Sequence, residues 1–338
     1  MRAARIDKPH SVKVVDVDEP PTGSSDILVK VKACGVCGTD IHIYEGRVKM
    51  VKFPIIPGHE FSGVIVEAGS EASKYFSIGD QVVIDPNLSC GHCIFCRTGR
   101  KNLCPDLFPI GVKADGGFAE YVRAPVQLAY KMPGKISFEE AALVEPLSCC
   151  LHGWKLTSPT LGFKVAILGA GPIGLLHLQL AKIYGASLII VAEPMELRRK
   201  VAEKLGADVV IDPIKDDLVK VIKDATSGLG VDVVVEAVGG ARHVEEALKI
   251  VGSGGKILIF GVASEEEFAA IKPYDVYRRE ITILGSFINP YSMDTAISLI
   301  TSRRVDVKGL ISHVISLDDV EKALKKTLKD SIKIIVRP

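Results

Sequence analysis

The chain has 338 residues, 47% apolar and 25% charged, with a formal net charge of +1. That length suits two ordinary domains rather than one small core, and that composition excludes a disordered or fibrous chain. The balanced charge leaves no electrostatic footprint for nucleic acid or an anionic membrane, and the apolar runs are strand-sized, far short of a membrane span.

The N-terminal run M-R-A-A-R-I-D-K lacks the apolar core of a signal peptide, so the cytoplasm is the expected compartment. From Arg2 to about Val144 the pattern is short and β-like. Val12–Val15, Ile27–Val31, Gly63–Val66 and Gln81–Ile84 read as strands, punctuated by Pro20-Pro21, Gly23, Pro57-Gly58, Gly69 and Gly79-Asp80. Many short strands with such turns suggest a small barrel or sandwich.

Inside this region, Ala33 to Phe61 carries Cys37, Thr39, His42 and an adjacent His59-Glu60 pair. A thiolate, an imidazole and a carboxylate are the donors a catalytic zinc ion takes while keeping one position open. Read alone, the stretch is served equally well by a buried cysteine and polar loop residues.

Four of the eight cysteines follow within fifteen residues: Cys90, Cys93, Cys96 and Cys104. Thiolates spaced C-x2-C-x2-C-x7-C can close a tetrahedral shell, which is how structural zinc is held. A closed shell has no open position, so the expected role is structural. Iron–sulfur clusters use similar runs and are the rival reading. His92, between ligands, reads as a spacer.

Ser137-Phe-Glu-Glu140 has the form of a capping box, and the helix it opens is expected to stop at Glu145-Pro146. Glu145 is then placed at a helix end beside a domain boundary, either in a cleft or as a solvated carboxylate.

From Phe163 the period changes. Lys164 to Leu168 is an apolar strand, followed by Gly169-Ala-Gly171-Pro172-Ile173-Gly174 and an apolar helix to about Tyr184. Strand, glycine-rich loop and helix in that order form a dinucleotide fingerprint, with backbone amides open to a pyrophosphate. A second strand, Leu188 to Val191, ends at Glu193, about where an acidic residue binds the adenosine ribose. That carboxylate favours NAD over NADP, although Arg198 and Arg199 are near enough in sequence to accommodate a 2′-phosphate. Strands at Val209–Ile211, Val231–Val235, Lys256–Phe260 and Ile281–Leu284 complete six, with helices at Met195–Leu205 and Val244–Ile250 among the connections. Six such strands suit a doubly wound parallel sheet, and Gly239, Gly240 and Gly261 follow the fourth and fifth at its carboxyl edge.

The tail from Ile288 reads as a helix, a strand near Leu310–Ile315, a helix Val320–Leu328 capped at Ser316, and a last strand Ile332–Val336. It is not another turn of the nucleotide domain and is expected to return to the first. The run I-T-I-L-G-S-F-I from Ile281 lacks charge and proline, the usual devices that block edge pairing. A homodimer through that sixth strand is expected.

Together these segments resemble the zinc-containing medium-chain dehydrogenases, most nearly the polyol and sorbitol branch, with threonine dehydrogenase nearby. The resemblance rests on G-V-C-G-T-D-I-H (35–42), P-G-H-E-F-S-G (57–63), the cysteines of 90–104, G-G-F-A-E-Y (116–121), V-E-P-L-S (144–148) and G-A-G-P-I-G (169–174). It implies an α/β chain with a GroES-like β-rich catalytic domain, 1–148 completed by 288–338. A six-stranded Rossmann domain, 149–287, is implied as its companion. It implies Cys37, His59 and a carboxylate, Glu60 or Glu145, as catalytic zinc ligands, with a second zinc on the four cysteines. It further implies reversible oxidation of a secondary alcohol on a polyol or sugar-like substrate, the hydride passing to NAD. By the same analogy Thr39 takes the alcohol proton and His42 hands it to solvent; otherwise they are a turn hydroxyl and a loop histidine. Dimers, often paired into tetramers, are also implied.

One departure stands out. Sorbitol dehydrogenases carry an arginine–tyrosine pair after the sixth strand, whereas this chain has Ile288 and Asn289. Threonine or a simple secondary alcohol is the alternative substrate, and a non-enzymatic structural or sensor role is the alternative of another class.

Overall fold

A computed structural model describes residues 1–338. It divides into two units, Met1–Ser148 with Asn289–Pro338, and Cys149–Ile288.

The first unit is built on a seven-stranded sheet. Six strands run in the order Ile311–Ser316, Lys333–Arg337, Asp26–Gly35, Glu60–Ala68, Gln81–Ile84 and Ala129–Lys131, with Tyr121–Pro125 joined to Asp26–Gly35. In the middle of Asp26–Gly35 the side chains alternate, Val29, Val31 and Ala33 buried while Lys30 and Lys32 face out, whereas Ile27–Val29 and Ala33–Gly35 are buried throughout. The register sets Gly35 opposite both Glu60 and Ile335. Leu317, Val320, Ala323, Leu324, Ile334 and Val336 from the tail share one apolar core with Ile27, Val29 and Phe61. The return of the chain thus closes this unit.

Two local expectations are corrected. Ser137 does cap a helix, accepting the Glu140 N–H at 3.2 Å, but that helix is only Phe138–Ala141. A new helix, Val144–Thr157, starts before Glu145-Pro146 rather than the chain stopping there. Proline fits a first helical turn because its missing N–H has no partner there anyway. Glu145 therefore begins a helix. In the tail, the helix is Val320–Leu324, after a short 3₁₀ turn at Leu317–Asp319. The Ser316 hydroxyl bonds the Asp319 carboxylate at 3.3 Å and caps no backbone amide. The helix ends early, with Lys326 in the left-handed region at φ 55°.

The second unit holds a six-stranded parallel sheet. Its order is Val209–Ile211, Leu188–Ala192, Lys164–Leu168, Val231–Glu236, Val251–Ile259 and Thr282–Gly285, the doubly wound arrangement expected. The fifth strand starts at Val251, five residues before the expected Lys256, and helices Leu218–Ala225 and Pro273–Arg279 fill two further connections between strands. Helix Pro172–Ile183 is buried continuously from Gly174 to Ala181, as an apolar-all-round helix should be. Within it His177 is pushed down to about 3 by burial, so the imidazole is neutral against the Phe260 ring 4.6 Å away. Thr282–Gly285 lies at one edge of the sheet.

No helix is long and apolar enough to cross a membrane.

Candidate active site

Cys37 caps the N-terminus of helix Gly38–Tyr44, and its N–H is donated to the Asp40 carboxylate at 2.8 Å. His59 and Glu60 lie where the loop from Pro57 enters the strand Glu60–Ala68. The sheet and this helix bring the three donors together: one ligand atom each from Cys37, His59 and Glu60 lies within 4.8 Å of the others. His59 and Glu60 are buried and Cys37 is half-buried. Sulfur, imidazole nitrogen and carboxylate oxygen converging out of water are a donor set that fits zinc.

Asp40 organises this corner. It is fully buried, its second oxygen accepts the Gly58 N–H at 3.1 Å, and that oxygen lies 3.5 Å from His59 Nδ1. At that distance the imidazole contact is one of charge rather than a formed hydrogen bond. A carboxylate beside Nδ1 fixes the ring and leaves Nε2 for a metal. Burial opposes the charged form of His59, yet Asp40 and Cys37 outweigh it and hold the imidazole well above its ordinary range.

Lys333 completes the corner, and no sequence motif marks it. This residue opens the last strand, is as buried as Glu60, and its ammonium is paired with Glu60 Oε2. Burial disfavours its charge, but Glu60 and then Cys37 reverse the effect and raise its pKa.

Thr39 places Oγ1 3.8 Å from Cys37 Sγ. His42, in the last turn of the same helix, is half-buried, and burial aided by Arg47 lowers its pKa. A neutral imidazole at neutral pH can accept a proton. Glu145 is buried in the first turn of Val144–Thr157 but lies outside the three-donor set.

Cys90, Cys93, Cys96 and Cys104 form a second cluster, again with all four sulfurs within 4.8 Å. Backbone amides turn toward the sulfurs: Cys93 N–H to Cys90 Sγ at 3.4 Å, and Cys90 N–H to Cys104 Sγ at 3.4 Å. Amides of His92 and Cys93 pull the Cys90 thiol down to about 6, whereas its neighbour Cys104 is pushed up to about 11, so the first thiolate forms at Cys90. The His92 side chain is exposed and bonded to its own loop, at the Cys90 carbonyl. Four sulfurs with no fourth-position vacancy fit a structural zinc.

The dinucleotide loop of the second unit has the tight backbone its glycines require. A Cβ on Gly174 would collide with the Gly169 carbonyl, so the helix could not begin so close to the strand. Gly171 caps that helix and Pro172 is its first residue, followed by Ile173. Glu193 is buried at the end of Leu188–Ala192, accepting the Ala170 N–H at 2.8 Å and the Met195 N–H at 2.9 Å. Arg198 Nη1 stands 4.0 Å from Glu193 Oε2. Arg199 is occupied by Asp212 at 3.1 Å and by the Glu193 and Pro194 carbonyls. Gly239 and Gly261 abut so closely that a Cβ on Gly261 would overlap the Gly239 amide. Buried Glu236 fixes this turn, one oxygen accepting the N–H groups of Val238 and Gly239 at 2.8 Å each.

Comparison with known proteins agrees with this chemistry. Residues 23–134 match the family described as Alcohol dehydrogenase GroES-like domain, and residues 172–302 match Zinc-binding dehydrogenase. Sorbitol dehydrogenase of Bacillus subtilis (strain 168) is 35% identical, covering 100% of this chain and 97% of its own. L-threonine 3-dehydrogenase of Thermococcus kodakarensis is 36% identical over 93% of this chain and 90% of its own. A structure from Sinorhizobium meliloti 1021, bound to NADP, superposes with a TM-score of 0.95 at 39% identity, covering 100% and 99% of the two chains.

Proposed function

The chain belongs to the zinc-type alcohol dehydrogenases, and from that premise we propose that it oxidises a secondary alcohol of a polyol or sugar-like substrate, with NAD as hydride acceptor. The observation that carries this reading is the thiolate–imidazole–carboxylate set of Cys37, His59 and Glu60. Zinc held by these three would supply the Lewis acidity that makes an alcohol proton easier to remove, and Glu145, outside the set, would be its water-mediated neighbour. The residues supply the rest. Asp40 orients His59, Thr39 beside Cys37 accepts the alcohol proton as it gives up its own, and neutral His42 takes up the released proton and passes it toward solvent. In the second unit the Gly169–Gly174 loop holds the pyrophosphate and Glu193 the adenosine ribose.

Asn289 narrows the substrate. Its side chain is fully buried, donating to Asp85 at 3.3 Å and accepting from Asn87 at 2.7 Å. A group so engaged is unavailable to grip a polyol, which argues against sorbitol itself.

The NAD preference rests on Glu193, whose buried charge repels a 2′-phosphate, and on the occupation of Arg199. NADP is the second reading, favoured by Arg198 and by the NADP-bound relative. The test is a panel of diols, polyols, sugar phosphates, simple alcohols and threonine, each with both cofactors. The best polyol or diol with NAD should exceed threonine, and NAD should exceed NADP, by about tenfold in kcat/KM, or roughly 1.4 kcal/mol. A higher value with NADP refutes the cofactor assignment. Preference for threonine refutes the substrate assignment, and no turnover with intact zinc refutes the enzyme.

We also propose a dimer through Thr282–Gly285. This edge strand has no charged residue, and Phe287 just beyond it is 51% exposed. Light scattering should give twice the chain mass or a multiple, and Ile283→Lys should lower it, because a buried charge opposes strand pairing. A wild-type monomer at micromolar concentration excludes the dimer.

A further inference from the structure

Glu60 serves two masters within one carboxylate. It belongs to the three-donor set with Cys37 and His59, and its Oε2 is paired with the ammonium of Lys333. Both side chains are 2% exposed, so neither charge is relieved by water. Lys333 donates in addition to the Val36 carbonyl at 3.0 Å, which anchors the ammonium to the strand edge beside Cys37. The fold makes room for this pair at a specific place. Gly35 lies opposite Glu60 in the sheet, and a Cβ there would overlap Glu60 Oε2 and come within 2.8 Å of Lys333 Cε. The last strand delivers Lys333 to that gap through the pairing of Ile335 with Gly35.

We propose that Lys333 is a positioning residue for the metal centre: it holds one oxygen of Glu60, so that the carboxylate offers a metal at Cys37 and His59 a single oxygen. This rests on the zinc reading of that cluster. A carboxylate free on both oxygens can chelate a metal and crowd the open position a substrate needs. A buried ammonium beside a divalent cation also repels it, so the same lysine weakens metal binding. Groups behind metal ligands commonly alter metal affinity by 10–100-fold. Here the change has an unusual sign, since removing the positive charge should tighten binding.

The experiment is chelator competition on the purified holoenzyme, following the more labile of its zinc ions. Lys333→Met should tighten that zinc about tenfold while lowering kcat. Its effect should be clearly smaller in a Glu60→Gln background, where only the direct charge repulsion remains. If Lys333→Met does not fold, Lys333→Gln, neutral and of similar reach, replaces it, and it too should tighten the zinc. Lys333→Arg, which keeps the charge, should bind zinc as the wild type does. Unchanged or weaker zinc binding in Lys333→Met overturns the proposal, as does an equal shift with and without Glu60. A Cys37→Ser protein that holds the labile zinc as tightly as wild type would instead overturn the zinc reading itself, which separates the two failures.

Discussion

Replacing Cys37 by serine is expected to lower kcat/KM by roughly a thousandfold or more, the scale of several kcal/mol of lost Lewis-acid stabilisation. Serine keeps the size of the side chain and its cap position, but its hydroxyl does not ionise near neutral pH as a thiol does and is a poor zinc ligand. Asp40 would still accept the residue 37 N–H, since that bond uses backbone, so the helix Gly38–Tyr44 keeps its start. The sheet register around Gly35, Glu60 and Ile335 does not involve the thiol. The variant should therefore fold, keep one zinc per chain on the four cysteines, and bind dinucleotide normally. Circular dichroism, metal analysis and cofactor titration check those points beside the rate. Retention of more than about a tenth of wild-type turnover would remove Cys37 from the chemistry.

What could be read ahead of the structure was whatever depends on near neighbours in sequence. The six strands of the parallel sheet announce themselves because each short apolar run is followed by helical periodicity or a glycine turn. The fifth was placed late because Val251 leads into G-S-G-G, which reads as a loop until a neighbouring strand pairs with it. Glu145-Pro146 was misread for a different reason. The same dipeptide can end one helix or sit in the first turn of the next, and only packing decides. Asp40 had a usable signal, an acid three residues after a helix cap, which is the spacing at which a side chain reaches back to the cap amide. Lys333 had none. It is 273 residues from Glu60, and only the return of the last strand makes them partners. The same holds for Asn289, read as a departure from a substrate grip but found tied to Asp85 and Asn87, some two hundred residues away in sequence.

Replacing Cys96 by serine should act on stability first. The cysteine lobe has little else to hold it: its helices are Ile94–Arg97 and the 3₁₀ turn Lys101–Leu103, and its only sheet pairs Asn87–Leu88 with Phe108–Pro109. Ile94, Leu103 and Phe108 are 65%, 44% and 44% exposed, so the apolar residues one would expect to form a core face outward. A buried polar cluster joins the lobe to the sheet: Lys101 pairs with Asp85 at 2.7 Å, Asp85 in turn receives Asn87 and Asn289, and Asn87 donates to Asn289. In such a segment metal binding is folding free energy, and chelation of structural zinc is worth about 10 kcal/mol in small isolated domains. Part of that is regained here because the lobe can open without unfolding the rest. The expected result is loss of one zinc per chain and rapid tryptic cleavage near Arg97, Arg100 and Lys101. The melting temperature should fall by roughly 10 °C, and turnover should largely survive at low temperature. Iron and visible absorbance in the wild-type protein would replace zinc with a cluster on the same four sulfurs. Unchanged metal content, protease resistance and melting temperature in Cys96→Ser would mean that the lobe is held by its anchor at Asp85 and not by a metal.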